Sequence, residues 1–107
     1  MIYKLALPAD WAAAQATGSY TTSTRGVSLE EEGFLHASRD LDQAEGVRLR
    51  RYADVEDLLL LVIDDTLLDA EVRWEGSAEL FPHIYGPLPV SAVVEVKPYP
   101  MPDAPGA

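Results

Sequence analysis

The sequence predicts a compact α+β domain, and three observations carry that prediction. Strand-like runs outnumber helical ones by about five to two when read from apolar periodicity. Those runs do not follow the regular βαβ order that builds a parallel sheet. The chain has 107 residues and 48% apolar content, one domain's length and enough to bury a core without disulfides or a structural metal.

Ile2-Tyr3-Lys4-Leu5-Ala6 alternates and opens with β-formers, so it reads as the first strand. Pro8 suits a first helical turn, Asp10 to Ala16 has strong helix propensity, and Gly18 stops the helix. Trp11 is an expected core anchor. Residues 19–26 are small and polar and read as an exposed loop. Leu29-Glu30-Glu31-Glu32 forms one helical turn with a solvated acidic face. A second, largely buried strand is expected over Phe34–Ala37. Asp40 and Gln43 then have capping-box spacing for a helix from Leu41 to about Tyr52. Arg48, Arg50 and Arg51 at its end complement the helix dipole, and they could equally form a basic patch. The unbroken apolar run Leu58–Ile63 fits a central strand covered on both faces, and the aspartates after it fit a turn. Glu71–Glu75 alternates, with Val72 and Trp74 opposite Arg73. Val90–Lys97 is the last strand. Residues 1–97 are thus the expected domain, and 98–107, with four prolines, an expected mobile tail.

Composition excludes several function classes. Without cysteine there is no thiolate nucleophile and no cysteine-based zinc site. A net charge of −10 disfavours a bulk nucleic-acid partner, because that affinity rests on basic residues neutralising phosphates. No apolar run approaches the roughly 20 residues of a membrane span. The N-terminus lacks the pattern of a signal peptide, so a cytoplasmic address is expected. No Gly-x-Ser-x-Gly elbow, metal-ligand spacing or phosphate-cradling glycine loop is present.

The chemistry concentrates in two stretches, Gly33-Phe34-Leu35-His36-Ala37-Ser38 and Phe81-Pro82-His83-Ile84-Tyr85-Gly86, which hold both histidines. Each sets an imidazole among apolar and aromatic neighbours with a hydroxyl two residues on. Such a histidine either faces a cleft or is tucked into a core with a partner; Trp74 likewise either stacks on a ligand or fills the core.

Taken together, Ile-Tyr-Lys at the start, Gly-Phe-Leu-His-Ala-Ser before a helix with Gln43, Trp74-Glu75, and Phe-Pro-His-Ile-Tyr-Gly form a pattern. Over residues 1–97 it resembles the small bacterial family known as domain of unknown function 952. The resemblance implies an ADP-ribosyltransferase-like fold, with five to six mostly antiparallel strands in two small sheets, two main helices and a cleft between the sheets. It implies binding of NAD, ADP-ribose or a related nucleotide there, with ADP-ribosyl transfer as the reaction. Glu75 and His36 are then the expected catalytic residues, and Lys4, Ser38, Trp74, His83 and Tyr85 the expected ligand-binding ones. Lys4 stands where the pattern often carries a first-strand histidine, and a lysine can hold a phosphate only as a point charge. The alternative is a binding module that kept the cleft without turnover. No metal is expected.

Overall fold

The structure, a computed structural model, describes residues 1–99. In chain order its elements are β1 (Ile2–Ala6), α1 (Pro8–Thr17), β2 (Ser19–Tyr20), β3 (Thr22–Thr24), β4 (Val27–Ser28) and α2 (Leu29–Glu32). There follow β5 (Leu35–His36), α3 (Leu41–Arg51), β6 (Leu59–Ile63), β7 (Val72–Glu75), β8 (Phe81–Ile84), β9 (Leu88–Pro89) and β10 (Val93–Pro98). The architecture is α+β with every strand pairing antiparallel. Among the described residues there are four small sheets instead of two: β1-β6-β10, β5-β8-β7, and the pairs β2-β9 and β3-β4.

β6 is the centre of the first sheet, and its unbroken apolar sequence follows from burial on both faces. Period two divides its side chains. Leu61 and Ile63 enter one core cluster with Leu35, Ile84 and Leu88, while Leu58 and Leu60 enter another with Ala44 and Tyr52 of the α3 segment. β1 is divided in the same way. Ile2 and Ala6 face the first cluster, Tyr3 and Leu5 the second. Lys4 therefore projects toward the first face, between two apolar neighbours, and is 4% exposed.

Several local expectations change. The polar stretch after Gly18 is not a solvated loop: Tyr20 and Ser23 are buried, and short strands run through it. A strand so short keeps its polar sequence because its hydroxyls bond backbone, with Ser23 Oγ donating to Phe34 O at 2.5 Å. The second strand shortens to Leu35–His36. The capping box of α3 is one-sided. Asp40 accepts from Gln43 N at 2.8 Å, but the Gln43 side chain reaches Arg39 N and donates to Glu79 and Leu80 O, tying the helix start to the β7–β8 connection. Trp11 packs against the first cluster while staying partly exposed. The expected tail begins inside the fold: Pro98 belongs to β10, Tyr99 N donates to Leu58 O and Tyr99 OH donates to Glu45. Residues 100–107 of that tail lie outside the described residues. Among the described residues no helix is long and apolar enough to cross a membrane.

Gly76 ends β7 at φ +149, and a Cβ there would stand 2.0 Å from the Glu79 carbonyl oxygen. Gly76→Ala is expected to destabilise the fold by about 3 kcal/mol through strain and clash together. Gly26→Ala meets nothing within 4 Å, and strain alone costs about 1 kcal/mol there. Urea unfolding midpoints of the two variants test this ordering.

Candidate functional site

The site is built on one face of the β5-β8-β7 sheet. Register sets His36 directly opposite His83, and His83 opposite Arg73, while Glu75 lies opposite Phe81. Alternation puts Leu35, Ile84, Pro82 and Val72 on the other face, against the core. The left-handed Gly33 (φ +92) ends α2 and turns Phe34 onto the histidine face. The Phe34 ring stacks on His83 at 4.1 Å and meets His36 edge-on at 5.0 Å. The two imidazoles stand 5.2 Å apart.

Each histidine has a carboxylate. His36 Nε2 donates to Glu32 at 3.0 Å, an i,i+4 pair at the surface. His83 Nδ1 donates to Glu75 Oε1 at 2.9 Å, and Tyr85 OH donates to the same oxygen at 2.5 Å. Those two donors hold the Glu75 carboxyl below its ordinary pKa, and the same bond raises the Tyr85 phenol. Burial lowers His36 below the usual imidazole value against the pull of Glu32, with Lys4 and His83 adding to the fall.

Across from this face a cleft of about 230 Å³ opens. Lys4 is at its floor, donating from Nζ to Ser23 O and to His36 O, each at 2.6 Å. Ser38 stands beside it, its backbone bridged to Tyr3 in β1 by two hydrogen bonds. The opposite wall comes from α3: Val47, Arg50 and Arg51 share one helical face at i, i+3 and i+4. Arg25 braces that wall, pairing with Asp54 through both terminal guanidinium nitrogens and donating to Arg51 O. Among the described residues neither Arg50 nor Arg51 has an ion-pair partner. Two guanidiniums, the Lys4 amine and a single carboxylate, Glu75, thus line a cleft in a chain of net charge −10. No group of three or more metal-ligating side chains occurs among the described residues.

Of the residues singled out from sequence, Lys4, His36, Ser38, Glu75 and His83 surround this cleft. Trp74 does not. It is 47% exposed on the sheet face opposite the histidines, neither core nor cleft, because neighbouring strand residues cannot share a face. Tyr85 stands behind the lining and reaches it through Glu75. Sequence reasoning left Arg50 and Arg51 between dipole complementation and a basic patch; the helical spacing with Val47 is the signal that points them at the cleft. It missed Ser23 and Phe34, whose roles depend on contacts distant in sequence.

The chain belongs to the family described as Protein of unknown function (DUF952), whose model matches residues 5–96. It is similar to the crystal structure of protein CC0527 from Caulobacter crescentus, with 32% identity and a TM-score of 0.78 over 91% of this chain and 83% of that one. The solution NMR structure of CC0527 is 33% identical, with a TM-score of 0.77 over 98% and 88% of the two chains. Among curated proteins none matches.

Burial lowers the Lys4 ammonium from 10.5 to about 7. A neutral amine keeps two N–H donors, enough for both carbonyls. Between those two pH values the unfolded chain holds the Lys4 proton and the folded one releases it, so stability rises with pH. From pH 7 to 9 the wild type is expected to gain up to about 1.4 kcal/mol per pH unit relative to Lys4→Met. Urea midpoints of both proteins across that range test it, and parallel profiles would refute a depressed Lys4.

Proposed function

We propose that this domain has an ADP-ribosyltransferase-like architecture and binds NAD, ADP-ribose or a related nucleotide in the cleft between α3 and the histidine face. The observation that carries the reading is the reversal of charge. Arg50 and Arg51 face the Lys4 amine across a cleft in a protein that is otherwise strongly acidic, an arrangement that draws an anionic ligand to one place. The α3 guanidiniums suit phosphate oxygens, since arginine offers a planar fork of donors. His36 and His83, which line the cleft, offer ring edges to the sugar and base end, with Phe34 stacked on His83.

Size defines which part is held. Pockets that enclose a whole ligand run to roughly 300–1,000 Å³. At about 230 Å³ the cleft takes one riboside and a phosphate, with the remainder of a dinucleotide across the rim. ADP-ribosyl transfer is the reaction this reading implies, with Glu75 at the cleft edge.

A second reading has one observation in its favour. Lys4 holds two backbone carbonyls, so the first-strand cation acts as a clamp within the fold. That suits a binding module without turnover.

Amide NMR titration with ADP-ribose, against inorganic phosphate as control, tests the proposal. Saturable shifts are expected at His36, Arg50, Arg51 and His83, and none at Trp74. Arg50→Ala and Arg51→Ala each should weaken ADP-ribose binding about tenfold, the worth of one charge-assisted hydrogen bond. Both side chains are exposed, so the unfolding midpoint should stay within about 0.5 kcal/mol. The absence of saturable shifts at millimolar ligand would reject a nucleotide site.

A further inference from the structure

The geometry points to His83 as the proton acceptor of the cleft, with Glu75 as the residue that positions it. This inference rests on the nucleotide reading of the site and reassigns the roles within it.

Glu75 is the carboxylate expected to serve the reaction, yet its Oε1 already accepts from His83 Nδ1 and Tyr85 OH. Two donors on one oxygen stabilise the ionised form, and the carboxyl is held below its ordinary range. Oε2 can still accept a hydrogen bond from a ligand hydroxyl. A carboxylate stabilised in this way is nevertheless a poor keeper of a proton.

His83 has the complementary arrangement. With Nδ1–H given to Glu75, the lone pair lies on Nε2. Among the described residues nothing bonds Nε2. No buried side-chain nitrogen or oxygen there lacks a partner, so Nε2 reaches solvent, and His83 borders the solvent of the cleft. The ring is held on three sides: Phe34 stacks on it, His36 meets it edge-on, and Glu75 fixes its rotation. Glu75 is itself held by Tyr85, whose ring carries the Arg73 guanidinium at 4.5 Å. His36 is the weaker candidate, because its carboxylate partner Glu32 lies on an exposed turn where such a pair contributes little.

The step balances with NAD and a hydroxyl acceptor, for which water serves in an assay. The acceptor oxygen forms a bond to C1′ of the nicotinamide ribose while the C1′–N bond breaks. The electron pair of that bond leaves with nicotinamide, neutralising its ring. The acceptor proton passes to His83 Nε2 and from there to solvent.

The test begins on the ligand-free protein. A long-range 1H–15N spectrum, assigned with His36→Gln, should show His83 as the Nδ1–H tautomer in the wild type, and Glu75→Gln should lose that preference. At saturating NAD, hydrolysis should fall about 100-fold or more in His83→Gln, well beyond the roughly tenfold that loss of one ligand contact takes from ADP-ribose affinity. An Nε2–H tautomer in the wild type, or undiminished hydrolysis in His83→Gln, overturns the inference. A wild type that binds ADP-ribose without hydrolysing NAD also overturns it and leaves the binding reading in place. If ADP-ribose does not bind, both fall together.

Discussion

The Lys4 ammonium is a rarity on energetic grounds, an amine inside a core face with its neighbours Ile2 and Ala6 packed into apolar contacts. Its two hydrogen bonds make it tolerable there, and they also determine the rest. Ser23 O belongs to β3 and His36 O to β5, while Lys4 itself belongs to β1. One side chain therefore joins three of the four sheets at a single point. Ser23 tightens the same junction through its hydroxyl on Phe34 O. The ladder between Tyr3 and Ser38 closes it from the other side. Strands of two or three residues cannot hold register alone. Here the register of β5 is fixed by what its carbonyls meet.

With β5 pinned, the histidine face follows from alternation. Phe34 and His36 fall on one side and Leu35 on the other, and the antiparallel pairing delivers His83, Arg73 and Glu75 to the same side. The opposite side becomes core. A sheet face bearing two imidazoles, a carboxylate and a guanidinium is stable only where these satisfy one another or meet water. Both conditions hold, through Glu32 and Glu75 on one hand and the open cleft on the other.

The far wall depends on how α3 is anchored. Arg48 is almost wholly buried and bonds Glu45 through Nε and Nη2. Glu45 also accepts from Tyr99 OH and has its pKa lowered to about 2, chiefly by the Arg48 bond. Gln43 fastens the helix start to Glu79 and Leu80. Held at both ends, the helix presents Arg50 and Arg51 to the cleft, with no carboxylate paired to them among the described residues.

The sequence alone determined the elements whose cause is local. β1, α1 with its Gly18 stop, the start of α3 at Asp40 and the buried run of β6 all follow from propensity, capping and apolar period. That the two histidine stretches carry the chemistry was visible in their composition; that they pair strand to strand was not. Alternation along Glu71–Glu75 already separated Trp74 from Glu75, although both were expected at the cleft. Tertiary structure decided what depends on distant partners. The polar segment around Tyr20 and Ser23 becomes strand and core because Lys4 and Phe34, far away in sequence, use its backbone and hydroxyl. It decided that Lys4 is a clamp, that Tyr85 acts through Glu75, and that Arg50 and Arg51 face a cleft. No periodicity encodes these, since a hydrogen bond is set by where two chain segments meet, and that meeting is a property of the packed whole.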